Sequence, residues 1–155
     1  MKIYLDSCCY SRPFDNINHI MQSRVRAEVA AIINAVDICK AEGFSIIGSR
    51  MVTFEINKIP EAEKLHKAIR YYFKAITAKA AITRSVKIRA AELIAQGIKE
   101  LDAYHVALSE STEVDYLLTT DDRLEAVAAR LGVNVKVINP INFLQEYVVW
   151  LQSRM

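Results

Sequence analysis

The chain has 155 residues, 52% of them hydrophobic, with four glycines, three prolines and a formal charge of +2. That composition excludes a disordered or low-complexity chain, and no apolar run approaches the ~18 residues that a membrane-spanning helix needs. The length suits one domain over residues 1–155, and the apolar start is too short to read as a secretory or transit segment, so a cytoplasmic protein without membrane attachment is expected.

Lys2-Ile3-Tyr4-Leu5 is short, β-favouring and almost continuously apolar, the pattern of a central strand buried on both faces, and Asp6 sits at its C-terminal end. From about residue 16 to Lys40, Ile20, Met21, Val25, Val29, Ile32, Ile33 and Val36 follow the spacing of an amphipathic helix, which Gly43 ends. A second strand is expected over Phe44 to Ile47. Ser49 can cap a helix that contains Glu55 and runs to Lys58, with Pro60 closing the stretch. Further helices are expected from Glu61 to Lys79, from Ser85 to Gln96, and from Asp102 onward. "DYLLTTDD" supplies a third strand, Asp122 to Leu131 a helix stopped by Gly132, "VKVI" a fourth strand, and "NPINFLQEYVVWLQ" a last helix with Pro140 near its start. Strands alternating with helices predict a three-layer α/β/α domain around a mostly parallel sheet.

Four acids stand at places this topology makes informative. Asp6 follows the first strand and Asp121 follows "YLLTT", so parallel strands put both on one sheet edge, and helices starting there can bring Glu55 and Asp102 to them. Two carboxylates ~5 Å apart repel by about 3 kcal/mol at an effective dielectric of ~20, so such a pocket calls for a cation. Oxygen-only ligation favours Mg²⁺ or Mn²⁺, and phosphodiester hydrolysis is the reaction such an ion supports. Taken singly, each acid also reads as a helix cap or a solvated group. Asp122 illustrates this, since Asp122-Arg123-Leu124-Glu125 fits a capping box, so Asp122 is given to the helix and Asp121 to the metal. His105, one turn after Asp102, reads as a packed or half-exposed histidine rather than a general base.

Other chemistries fit less well. Cys8, Cys9 and Cys39 make no disulfide framework and no Cys-x5-Arg loop with Arg12, and His19, His66 and His105 are scattered, so the thiols read as packing. An aspartate-nucleophile phosphatase needs D-x-D after strand one, where this chain has Cys8.

Together, "YLDSCCYSRPFD", "SRMVTFEIN", "LDAYHVALS" and "YLLTTDDRL" resemble, in that order, the PIN-domain ribonucleases, including the VapC-type toxins of toxin–antitoxin pairs. The resemblance runs from Ile3 to about Leu144. It implies a parallel sheet between helices and Mg²⁺- or Mn²⁺-dependent endonucleolytic cleavage of RNA. It also implies that Asp6, Glu55, Asp102 and Asp121 are the catalytic metal-binding acids, supported by Ser7, Thr119 and Thr120, and that a homodimer or an antitoxin are partners. Cys8 stands where many members carry Asn or Ser. A non-catalytic member of the fold that only binds RNA or a protein is the alternative, against which the intact set of acids argues.

The modest net charge hides an asymmetry. Residues 58–89 carry nine Lys/Arg against Glu61 and Glu63, a net +7 that leaves −5 for the rest. On the helix within this segment, Lys64, Lys67, Arg70, Tyr71 and Lys74 share one side and Leu65, Ile69, Tyr72, Phe73 and Ile76 the other, so the first set is the candidate RNA-binding face. An ordinary solvated face or an antitoxin-binding surface reads equally well. In the last helix, Phe143, Leu144, Tyr147, Val148, Trp150 and Leu151 form an apolar arc wider than one core-facing stripe. Trp150 is therefore expected to stay exposed in a lone monomer as part of a partner surface, with burial against the first long helix as the alternative.

Overall fold

The computed structural model describes residues 1–15 and 23–155. The start of the first long helix, with Ile20 and Met21, and His19 lie outside the described residues. Among the described residues, five strands form one parallel sheet: β1 (Lys2–Leu5), β2 (Ser45–Ser49), β3 (Ala78–Ala80), β4 (Tyr116–Leu118) and β5 (Lys136–Ile138), in the spatial order β3-β2-β1-β4-β5. Among the described residues the helices are α1 (Ser7–Ser11), α2 (Ser23–Glu42), α3 (Arg50–Ile56), α4 (Ala62–Ala75), α5 (Arg84–Ala95), α6 (Glu100–Ser111), α7 (Asp122–Leu131) and α8 (Pro140–Ser153), with a 3₁₀ turn at Arg12–Phe14. None of them is long and apolar enough to cross a membrane.

The apolar run of β1 has the expected cause. Ile3 pairs with Ile46 of β2 and Tyr116 of β4, and Leu5 with Leu118, so the strand is hydrogen-bonded on both sides and Ile3, Tyr4 and Leu5 are fully covered. Successive side chains point to opposite faces. Tyr4 reaches His105 of α6 on one face, while Tyr116, in register with Ile3, meets the Phe143 ring of α8 on the other at 5.3 Å. Helices therefore cover both sides of the sheet.

Two of the boundaries that differ from the sequence pattern bear on the sheet and on Asp102. The helix expected to reach Lys79 stops at Ala75, because Ile76 turns to extended backbone and Thr77 bonds Ile46, its amide donating at 2.8 Å and its hydroxyl accepting from the Ile46 amide at 3.0 Å. Residues 78–80 then add an edge strand that Ala-Lys-Ala does not announce, since its weak β preference is overridden by pairing with β2. The other boundary is at α6, which begins at Glu100 and places Asp102 within its first turn.

The thiols are packing. Cys9 and Cys39 are buried and free, Cys8 is half-buried, and hydrogen bonding with Cys8 together with burial push the Cys9 thiol well above its ordinary range. The expectation for Trp150 is corrected. It is half-buried against the core, edge-on to Phe44 at 5.4 Å and stacked on Tyr147 at 5.8 Å. The apolar residues of α8 left exposed are Val148, Val149 and Leu151, and Val148 lines an open groove with Asn34, Asp37, Ile38 and Ala41 of α2.

Gly48 shows how tightly α4 lies on β2. A Cβ there would sit 2.4 Å from the Tyr72 hydroxyl and 2.9 Å from Ile76 Cγ2, and that hydroxyl donates to the Ser49 carbonyl. Gly48→Ala is expected to lower the urea midpoint by the equivalent of about 1–3 kcal/mol through overpacking, with no change in the slope of the transition.

Candidate metal centre

Asp6 continues the β1 ladder, its amide donating to the Leu118 carbonyl at 2.9 Å, so its side chain is delivered where β1 meets β4. The carboxylate is buried and accepts from two hydroxyls, Thr119 Oγ1 on Oδ2 at 2.9 Å and Ser7 Oγ on Oδ1 at 3.2 Å. The Thr119 oxygen in turn accepts from the Asp121 amide at 3.1 Å, so one buried hydroxyl ties the residue after β1 to the turn after β4. Thr120 points elsewhere. Its hydroxyl accepts from Arg12 at 3.0 Å and donates to Cys8 Sγ at 3.3 Å, touching none of the four acids.

Glu55 arrives from α3, whose N-cap is Ser49 as the sequence predicts. Its carboxylate accepts from His105 Nε2 in a close contact, and the same nitrogen lies 3.6 Å from Asp6 Oδ1. Asp6, Glu55 and His105 each offer one ligand atom within 4.8 Å of the others. His105 is fully buried, not half-exposed, and its Nδ1 is 2.7 Å from the Tyr4 hydroxyl, itself 2.6 Å from Ser49 Oγ. Burial works to lower the imidazole pKa, but the Glu55 bond and the charges of Asp6, Glu55 and Asp102 outweigh it and raise the value above the ordinary one.

Asp102 is half-buried at the start of α6. Burial, with the charge of Asp6 next, pushes its carboxyl up to about 6. Asp121 and Glu55 add to the rise, and His105 opposes it. All four acids expected from the sequence are thus electrostatic neighbours. Asp102 and Asp121 also line one cleft, together with Lys99 and Arg123.

The division of labour between Asp121 and Asp122 is corrected. Asp121 is the N-cap of α7, its Oδ1 accepting from the amides of Arg123 at 2.9 Å and Leu124 at 3.3 Å. Asp122 is exposed and bonds Arg24 at 2.5 Å, a contact that holds its carboxyl below the ordinary range. Capping and membership of the acidic cluster are therefore combined in Asp121, because Oδ1 alone makes both capping bonds.

Sequence reasoning missed His105, Tyr4 and Ser49 as parts of this centre. The available signal was spacing: His105 is three residues after Asp102, on the same helix face.

The basic face of α4 is formed in part. Lys67, Arg70 and Lys74 are exposed, with Lys67 paired to Glu63 at 3.1 Å, while Lys64 is half-buried and bonds Asp15 at 2.5 Å. Tyr71 does not stand free for stacking. Its ring meets Phe14 and Tyr10 edge-on at 5.8 and 6.2 Å, and burial pushes its hydroxyl up to about 12. Phe73, expected on the core side, is 53% exposed beneath Lys79, because the buried stripe of α4 is centred on Ala68, Tyr72 and Ala75.

Solved structures share this architecture, two of them VapBC complexes. One is VapBC2 from Rickettsia felis bound to a DNA fragment from their promoter, similar with a TM-score of 0.58 and 14% identity over 90% of this chain and 98% of that one. The fold is PIN-like. The other is VapBC-1 from nontypeable Haemophilus influenzae, with a TM-score of 0.54 and 13% identity over 90% of this chain and 98% of that one. No protein-family model matches the sequence, and no curated protein matches it significantly. Identities this low establish a shared PIN-like fold and leave function to the side chains.

Asp6 and Glu55 are grouped with His105, whose Nε2 is engaged by Glu55, and Asp102 and Asp121 are electrostatic neighbours of that group, a carboxylate-rich set that suits a hard divalent cation. Because the folded chain binds the Asp102 proton more tightly than the unfolded one, the contribution of this group to stability is present below about pH 4 and is lost as pH rises to about 6. Asp102→Asn is accordingly expected to stabilise the chelator-treated protein above pH 6, by about 1–3 kcal/mol, and to change little below pH 4. Thermal denaturation in EDTA at pH 4 and pH 7.5 measures this.

Proposed function

We propose that this chain is a divalent-metal-dependent endoribonuclease that hydrolyses RNA phosphodiester bonds, and that it is the toxin of a toxin–antitoxin pair. The observation that carries the reading is the grouping of Asp6 and Glu55 with His105, their ligand atoms within 4.8 Å of one another, beside a half-buried Asp102 on which the charges of Asp6, Asp121 and Glu55 act. Two further findings support the toxin assignment: the PIN-like fold, and the VapBC composition of both structural neighbours.

In this mechanism the four acids would hold Mg²⁺ or Mn²⁺, which would supply charge neutralisation at the phosphoryl group and a lowered pKa for an attacking water. The chain's own residues do the arranging. Ser7 and Thr119 fix the Asp6 carboxylate by two hydrogen bonds, and the α7 amides fix one oxygen of Asp121. The charged state of Asp102, disfavoured by burial and by the charge of Asp6, would be favoured by a cation beside it. Exposed Lys67, Arg70 and Lys74 offer a line of charge to a phosphate backbone. For a homodimer or antitoxin contact the apolar groups on offer are Val148, Val149 and Leu151.

Purified protein is expected to cleave RNA with Mn²⁺ or Mg²⁺ and to stop with EDTA, and Asp6→Asn is expected to remove at least 99% of the activity while the fold survives. Cleavage that persists in EDTA defeats the metal mechanism. For the basic face, replacing Lys67 and Lys74 by Glu is expected to weaken RNA binding across sequences and flatten its dependence on salt, read from binding titrations at several ionic strengths.

A further inference from the structure

The hydrogen bonds behind Glu55 form a chain that ends on the centre. The Val52 amide donates to Ser49 Oγ at 3.3 Å, Ser49 Oγ is 2.6 Å from the Tyr4 hydroxyl, and that hydroxyl is 2.7 Å from His105 Nδ1. His105 Nε2 then meets Glu55. Ser49, Tyr4 and His105 are buried, and they come from β2, β1 and α6, so the imidazole is clamped by three separate elements. Glu55 is anchored differently. It stands on the seven-residue α3, its side chain is 24% exposed, and among its described hydrogen bonds the carboxylate has His105 as its partner.

We propose that His105 is a positioning residue of the metal centre: through the hydrogen bond from Nε2 it fixes the Glu55 carboxylate beside Asp6, and it is not itself a ligand. A carboxylate accepts hydrogen bonds, so Nε2 carries the hydrogen directed at Glu55 whichever charge the ring bears. A nitrogen that carries a hydrogen has no lone pair to give a cation, which separates the proposed role from ligation. The same N–H lies 3.6 Å from Asp6 Oδ1, between two carboxylates that otherwise repel. Hydrogen bonds that orient ligands from behind are worth roughly 10–100-fold in metal affinity. The inference rests on the reading of this cluster as a cation site.

The test is Mn²⁺ binding to the full chain after chelation, measured by calorimetry and by the electron paramagnetic resonance of bound and free ion, with no RNA present. His105→Ala is expected to weaken binding by 10–100-fold. His105→Gln, whose amide can donate to Glu55, should recover part of that loss. Tyr4→Phe, which keeps the ring and removes the hydroxyl, should weaken binding several-fold by releasing the imidazole. In a Glu55→Gln background, His105→Ala is expected to change affinity less than twofold, because the two act as one unit. A folded His105→Ala that binds Mn²⁺ as tightly as the wild type overturns the proposal, and so does an undiminished effect in the Glu55→Gln background, which would mark His105 as a ligand. Should His105→Ala fail to fold, the His105→Gln and Tyr4→Phe affinities decide, and values equal to the wild type overturn it. A wild type that binds no Mn²⁺ overturns the metal reading itself, whereas a wild type that binds while all His105 and Tyr4 variants match it overturns this inference alone.

Discussion

Parallel pairing of β1 on both sides is the constraint from which the centre follows. The chain leaves β1 for β2 and β3 on one side and returns to β4 and β5 on the other, so the loops beyond β1 and β4 diverge and leave a crevice at that edge. The Asp6 amide bonds Leu118, and Thr119, the next residue, turns its hydroxyl onto the Asp6 carboxylate. Two acids more than a hundred residues apart in sequence are thus set side by side by one backbone ladder.

Gathering carboxylates opposes folding, and the structure offsets the cost with hydrogen-bond donors. Ser7 and Thr119 donate to Asp6, two α7 amides donate to Asp121, and His105 donates to Glu55. Hydrogen bonds to a charged acceptor are stronger than neutral ones, so these donors lower the penalty without adding bulk at the mouth of the site. Burial, with the charge of Asp6 next, pushes the Asp102 carboxyl up to about 6. A site held this way gains stability when a cation enters, which links ligand binding to folding in the usual sense of mass action.

Charge is unevenly distributed along the chain: residues 58–89 carry a net positive charge and the remainder a net negative one. The aromatic content of α4 serves packing more than contact: Tyr71 and Tyr72 wedge against Tyr10, while Phe73 is the ring left at the surface.

Local pattern was enough for what depends on near neighbours. The apolar run of β1, the Ser49 cap of α3, the Gly132 stop of α7 and the placement of Asp6 and Asp121 at strand ends follow from the sequence, because backbone preferences and strand burial act over a few residues. The α/β/α class followed from the alternation of elements. What needed the tertiary structure was every choice between two local options of similar merit. Ala-Lys-Ala became β3 because β2 offered an unpaired edge, and Asp121 rather than Asp122 caps α7 because the Thr119 bond sets where the turn ends. Tyr71 and Trp150 turned inward because Phe14 and Phe44, distant in sequence, supplied rings to meet. His105 joined the centre for the same reason: a histidine three residues from an aspartate is ambiguous until Tyr4 of β1 and Glu55 of α3 close on its two nitrogens. Hydrogen-bond partners from separate elements carry no sequence signature, so only the folded chain selects them.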